Sequence, residues 1–170
     1  KINSLIDQPV IDSLYRASQS GVKVDLIVRG ICGLVPGVKG LSENIKVRSI
    51  LGRFLEHSRV FYFHNADNDN KLYVGSADWM QRNFLRRVEA VFPIENPELI
   101  ESVLSDLELM LRDNWGASTL KSDGNYSKIN TISRSKKYIS CQQALLEKSE
   151  LKTNNLIQKK SVATTGKTNN

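Results

Sequence analysis

Two adjoining signals near the amino terminus narrow the fold more than any other stretch. Asp7 suits a helix N-cap and Pro9 its first turn, and Val10, Ile11, Leu14 and Tyr15 then recur on one helical face. Gly21 fits the left-handed residue that closes a helix, and an apolar stretch, Val22 to Val28, follows at once. That stretch opens with alternation and passes into continuous apolar residues, as a strand buried on both faces does. A helix feeding directly into such a strand is half of a βαβ unit and predicts an α/β fold, a mixed sheet flanked by helices. The first strand of the unit is expected just ahead of Lys1. Lys1-Ile2-Asn3-Ser4-Leu5 carries neither an initiating Met nor a signal-peptide pattern, so the chain is expected to come from the middle of a longer protein.

The remaining elements follow from pattern. Ile45 to Ile50 alternates and reads as a strand, Leu51 to Glu56 as a short helical turn, and Arg59 to Phe63 as a buried strand. Asp67-Asn68-Asp69-Asn70 is turn chemistry, predicting a hairpin that returns through Lys71 to Val74. A calcium loop would need a later Gly and Glu that this turn lacks. Val88 to Phe92 is a further strand ended by Pro93. Asn96 and Pro97 open a helix whose Leu99, Ile100, Val103, Leu104, Leu107, Met110 and Leu111 line one face, predicted to cover the sheet. Trp79 reads as a core filler. No run of about 18 apolar residues is present, so no spanning helix is expected.

Candidate chemistry begins at His57-Ser58-Arg59, at the mouth of the Arg59–Phe63 strand. Histidine titrates nearest neutrality and can give, take or hold a proton or phosphoryl group. Residues two apart share a strand face, so imidazole and guanidinium stand side by side, a pairing suited to phosphate. The same stretch also reads as a structural histidine near a surface ion pair. Arg29-Gly30 closes the Val22–Val28 strand at its carboxyl end, where open α/β sheets bind ligands. Arg29 is an anion-site candidate there, or a strand-end arginine reaching solvent. The long loop from Ile31 to Asn44 has no Gly-rich nucleotide fingerprint. Cys32 and Cys141 stand alone without metal-ligand spacing, which argues against structural zinc and for a reducing compartment.

The net charge of +6 is unevenly placed. Residues 1–119 hold 14 Lys and Arg against 15 Asp and Glu, whereas residues 120–170 hold 10 against 3. The basic character belongs to the tail, so a specific nucleic-acid-binding fold is not expected. Past Trp115, Ser, Thr, Asn and Lys dominate. The reading is a domain over residues 1–129 and a polar basic tail over 130–170, with a short helix over Gln142 to Leu151 and disorder from Lys152 onward.

Several long segments then resemble one family. Lys1-x-Asn3-Ser4-Leu5, Asp25 to Cys32, Ser42 to Arg59, Ser76 to Met80 and Arg82-Asn83 resemble the C-terminal catalytic region of bacterial polyphosphate kinases of the first type, from Lys1 to about Tyr126. That region is similar to phospholipase D, whose two halves each carry H-x-K-x4-D followed by G-S-x-N. Here His57-Ser58-Arg59 stands at H-x-K and Gly75-Ser76-Ala77-Asp78 at G-S-x-N. Arg59 replaces the lysine and His64 falls at the aspartate, so lipid hydrolysis is not implied.

The resemblance implies reversible transfer of the terminal phosphate of ATP to inorganic polyphosphate through a phosphorylated histidine, with Mg2+. In that family both the phosphohistidine and the magnesium ligands belong to the preceding half, outside this chain. It implies Arg29 and His57 as ATP-contacting residues, His57 being the catalytic candidate. Arg59, Arg82 and Arg86 are weaker candidates for cradling polyphosphate, and Lys1 and Asn3 weaker still. Partners implied are ATP and ADP, polyphosphate, the preceding half of the same enzyme and further copies of it, in the cytoplasm or peripherally at the inner membrane. Two other readings remain: a phospholipase D-type phosphodiesterase with His57 as nucleophile in a homodimer, and a polyanion-binding module acting through the basic tail.

Overall fold

The computed structural model describes residues 1–65, 69–129 and 138–165, apart from the side chains of residues 152 and 155–165. Helix α1, Gln8–Gln19, begins at Asp7, whose side chain accepts from the Val10 amide at 3.3 Å. Gly21 adopts φ 85° just past its end, a conformation that Cβ disfavours. Strand β1, Val24–Ile27, follows as the helix–strand pattern predicts. It pairs in parallel with β2, Ile45–Ile50, Val24 lying opposite Ile45.

Residues 1–5 make parallel bridges, Ile2 to Val28 and Leu5 to both Cys32 and Trp79. The Ile2 amide donates to Ile27 O at 3.0 Å, and the Val60 amide donates to Lys1 O at 2.8 Å. This short segment therefore lies between two sheets. The first has the order β1-β2-β6-β7, with β6 Ala117–Leu120 and β7 Tyr126–Lys128. The second has the order β3-β4-β5, with β3 Arg59–Phe63, β4 Lys71–Gly75 and β5 Val91–Pro93, all antiparallel. The β3–β4 hairpin is as expected, while Asp67 and Asn68 of its turn lie outside the described residues. Leu51 to Glu56 is irregular rather than a helical turn.

Two apolar clusters fill the molecule. Ile2, Leu5, Ile11, Leu26, Val28, Val47 and Phe61 form one, against which Trp79 packs; its ring stacks on Phe61 at 5.2 Å. Ile27, Ile50, Met110, Ala117 and Cys141 form the other. Helix α3, Pro97–Arg112, capped by Asn96, reaches the second cluster through Leu107, Met110 and Leu111, whereas Leu99 at its start is 55% exposed. Its carboxyl half alone covers the sheet.

The carboxyl-terminal region departs from expectation. Strands β6 and β7 were not signalled, because Ala117 and Leu120 are the buried positions in an otherwise polar stretch. Helix α4 runs Cys141–Thr165, so helical backbone extends past Lys152. The expected helix over Gln142 to Leu151 lies within α4. The tail segment 130–137 and the last five residues lie outside the described residues. Among the described residues no helix is long and apolar enough to cross a membrane.

Asp113 explains why α4 belongs to the fold. It is buried, and its Oδ1 accepts from the amides of Trp115 at 3.0 Å, Gly116 at 2.8 Å and Ala117 at 3.0 Å. Its Oδ2 accepts from the Cys141 amide at 2.8 Å. One carboxylate thus ends α3, starts β6 and starts α4, satisfying amides that burial would otherwise leave unpaired. Burial first, and then Asp113, push the Cys141 thiol up to about 12. A thiol reagent at pH 8 is expected to spare Cys141 in the native chain and label it in denaturant, read by peptide mass spectrometry. Asp113→Ala is expected to lower stability by about 3 kcal/mol in urea unfolding, and Asp113→Asn, which keeps an acceptor oxygen, by less. Native labelling of Cys141, or unchanged stability in Asp113→Ala, would refute this joint.

Candidate functional site

The hairpin register brings the two motifs together. Arg59 lies opposite Gly75 across β3–β4, so the segment after β4 returns beside the residues before β3. Asp78 thereby reaches Arg59, with Nε donating to Oδ1 at 3.3 Å and Nη2 to Oδ2 at 3.1 Å. Asp78 Oδ1 also accepts from the amides of Asn3 at 2.7 Å and Ser4 at 3.3 Å. Arg59 Nη1 turns the other way. It donates to His57 O at 2.7 Å and lies 3.0 Å from His57 Nδ1 and 3.3 Å from Nε2. Arginine only donates, so the imidazole nitrogen engaged by Arg59 acts as acceptor.

Lys1, Asn3 and Arg29 complete the cluster. Arg29 is half-buried at the end of β1, its carbonyl held by the Ser49 hydroxyl at 2.9 Å. Its Nε donates to Asn3 Oδ1 at 3.1 Å, which orients the guanidinium. Asn3 is buried, and its Nδ2 has no hydrogen-bond partner among the described residues. Lys1 Nζ sits 3.2 Å from Glu56 Oε2 and donates to Ser58 Oγ at 2.8 Å. Burial lowers the Lys1 pKa, and Glu56 opposes that shift. Five of the seven predicted site residues are therefore linked, directly or through Asp78 and Ser58, while His57 remains exposed to approach a ligand.

Arg82 and Arg86 are not drawn in. They lie exposed on α2, Gln81–Leu85, and at its carboxyl end, and no side-chain hydrogen bond joins either to the cluster among the described residues. The buried neighbour Asn83 is tied instead to Glu89, its Nδ2 donating at 2.6 Å, and Glu89 also accepts from the Ser76 hydroxyl. His64 stands beyond the far end of β3, 3.5 Å from the Tyr62 hydroxyl, well separated in strand register from His57.

Asp78 is the functional residue whose role sequence reading missed. Its place at the last position of G-S-x-N was visible, but its joining of Arg59 to residues 3 and 4 depends on a 75-residue separation. The charge pattern is equally informative. Arg59 is paired with Asp78 and Lys1 with Glu56, whereas Arg29 has no carboxylate partner among the described residues. An oriented guanidinium with open donors can hold phosphate oxygens.

The fold and these paired segments define one phospholipase D-like half-site. The family model described as polyphosphate kinase C-terminal domain 2 matches residues 1–142. The chain is 57% identical over 126 residues to a polyphosphate kinase of Synechocystis, covering 74% of this chain and 17% of that one. It is 55% identical over 130 residues to a polyphosphate kinase of Pseudomonas aeruginosa, covering 76% and 19%. The crystal structure of polyphosphate kinase from Porphyromonas gingivalis superposes with TM-score 0.84 at 39% identity, over 91% of this chain and 23% of that one. The chain belongs to the polyphosphate kinase family, as its C-terminal catalytic region, and spans less than a fifth of the length of those two sequence relatives.

The Asp78 pair sets an acid limit on stability. Burial, the largest influence, raises its pKa; the Arg59 hydrogen bonds and the Asn3 and Ser4 amides outweigh it, leaving the carboxyl below its ordinary 3.8. A depressed folded pKa stabilises fully above the unfolded value and is lost as pH falls through the folded one. Urea unfolding against pH is expected to show stability declining below about pH 4, with Asp78→Asn flattening that limb. The same variant is expected to cost about 3 kcal/mol at pH 7, from an uncompensated Arg59. Parallel pH curves for the two chains would contradict the assignment.

Proposed function

We propose that the chain forms one wall of a polyphosphate kinase active site and supplies the residues that grip the nucleotide's phosphates. The reaction is reversible transfer of the terminal phosphate of ATP to inorganic polyphosphate, through a phosphohistidine located outside this chain. The observation that supports this reading is the guanidinium of Arg29, oriented by Asn3 and without a carboxylate partner among the described residues.

Phosphoryl transfer needs little covalent help from the protein, and depends on positioning and neutralisation of spreading charge. Arg29 holds phosphate oxygens through a fork that stays charged at every working pH. His57 donates a proton or a hydrogen bond to the leaving phosphate. Arg59 is occupied on both sides by Asp78 and His57, so it serves the site by holding His57, with any contact to polyphosphate secondary. Arg82 and Arg86 would meet only a longer chain running along α2.

Magnesium is expected with the nucleotide. Among the described residues no three His, Cys, Asp or Glu side chains converge. The magnesium ligands, the preceding half of the enzyme and further copies of the chain are proposed to complete the site, in the cytoplasm or peripherally at the inner membrane.

Calorimetric titration with magnesium-ATP and with tripolyphosphate tests the reading. Arg29→Ala is expected to weaken ATP at least tenfold, Arg29→Lys to recover only part because the fork is lost, and His57→Ala to weaken it several-fold. The chain alone is expected to make no polyphosphate, and to do so when the remainder of a polyphosphate kinase is supplied in trans. Binding indifferent to both variants but abolished by deleting residues 130–170 would instead favour the polyanion-binding reading.

A further inference from the structure

We propose that Gln142, on the first turn of α4, is a positioning residue for His57. The proposal rests on the reading above, in which His57 contacts the phosphates. The loop that delivers His57, residues 52–56, is irregular and largely exposed. Such a loop has no ladder of its own to fix it.

One side-chain amide supplies what the loop lacks. Gln142 Oε1 accepts from the Phe54 amide at 3.0 Å, and Gln142 Nε2 donates to Phe54 O at 2.8 Å. The same Nε2 donates to Glu56 Oε1 at 2.8 Å. The amide thus satisfies both backbone groups of Phe54 as a neighbouring strand would, and spends its second hydrogen on the residue next to His57. Among the described residues these are the backbone hydrogen bonds of the loop from Gly52 to Glu56.

The clamp extends to both flanks of His57. Glu56, held through Oε1 by Gln142, meets Lys1 through Oε2, and Lys1 in turn holds Ser58. The anchor behind Gln142 is firm, because Cys141 is fully buried and its amide is bound by Asp113. Space is matched as well. A Cβ on Gly52 would fall on the Gln142 side-chain amide, so an alanine there must displace the clamp.

The test uses the 170-residue chain and its two histidines. Ring carbon–proton NMR resonances report His57 and His64 separately, and magnesium-ATP titration reports affinity. In Gln142→Ala the His57 resonance is expected to shift, with His64 unmoved and ATP weakened roughly three- to tenfold. Gly52→Ala is expected to do the same, and the double variant to add little more, since both break one contact. Lys148→Ala, which removes the Lys148–Asp106 ion pair between α4 and α3, is the control and should leave His57 unchanged.

If Arg29→Ala and His57→Ala weaken ATP while Gln142→Ala and Gly52→Ala, folded by circular dichroism, leave both the His57 resonance and the affinity intact, the clamp is refuted. If Lys148→Ala shifts His57 as much as Gln142→Ala, the effect is general loosening of α4 and the positioning role is refuted. If Arg29→Ala and His57→Ala leave ATP binding unchanged, the underlying reading fails instead.

Discussion

The carboxylate of Asp78 is the point at which separate parts of the chain become one site. Residues 1–5 thread between two sheets, and the Val60 amide on Lys1 O ties their first residue to the second sheet's hairpin. Asp78 adds to that tie by accepting two amides from residues 3 and 4 and two guanidinium hydrogens from Arg59. A buried acceptor used this fully compensates its own desolvation, which a half-used one would not. Arg59 is then held flat between Asp78 and His57, and Asn3 is held where its side chain meets Arg29. Each of these groups is therefore set by a neighbour that is itself fixed.

This division of labour explains why so many cations stand together without collapsing the site by repulsion. Lys1 and Arg59 each have a carboxylate, and act as structural charges. Arg29 is left with an oriented neutral partner in Asn3, so its charge is unspent. The lysine of the phospholipase D pattern is arginine here. That substitution suits the arrangement, since a guanidinium bridges Asp78 and His57 at once and an ammonium point charge would not match both directions.

Much of this was legible in the sequence, because local rules carried it. Asp7, Pro9 and Gly21 marked α1, alternation marked β2, and the turn residues and apolar strands marked the β3–β4 hairpin. His57, Arg29 and Arg59 stood out because strand ends and i, i+2 spacing have chemical meaning. Strands β6 and β7 were hidden, since short polar strands at a sheet edge bury too little to leave a pattern. The identity of the segment beside β1 was also hidden. Residues 1–5 pair through bridges set by tertiary contacts, with no periodicity of their own.

The carboxyl-terminal helix shows the same limit from the other side. Its composition is polar and basic, and composition alone argues for a solvated end. What ties it down is Cys141 and Leu145 in the second apolar cluster together with a few partners at long range: Asp113 on the Cys141 amide, Gln142 on Phe54, and Lys148 on Asp106. Each of these long-range contacts rests on an ordinary polar residue whose role exists only once the partner, up to 88 residues away, is in place. The excess of positive charge in this region is thus partly structural charge, and Lys148 is one cation that polyanions do not find free. Within the cluster around Asp78, Lys1 and Arg59 each have a carboxylate, whereas Arg29 has none among the described residues.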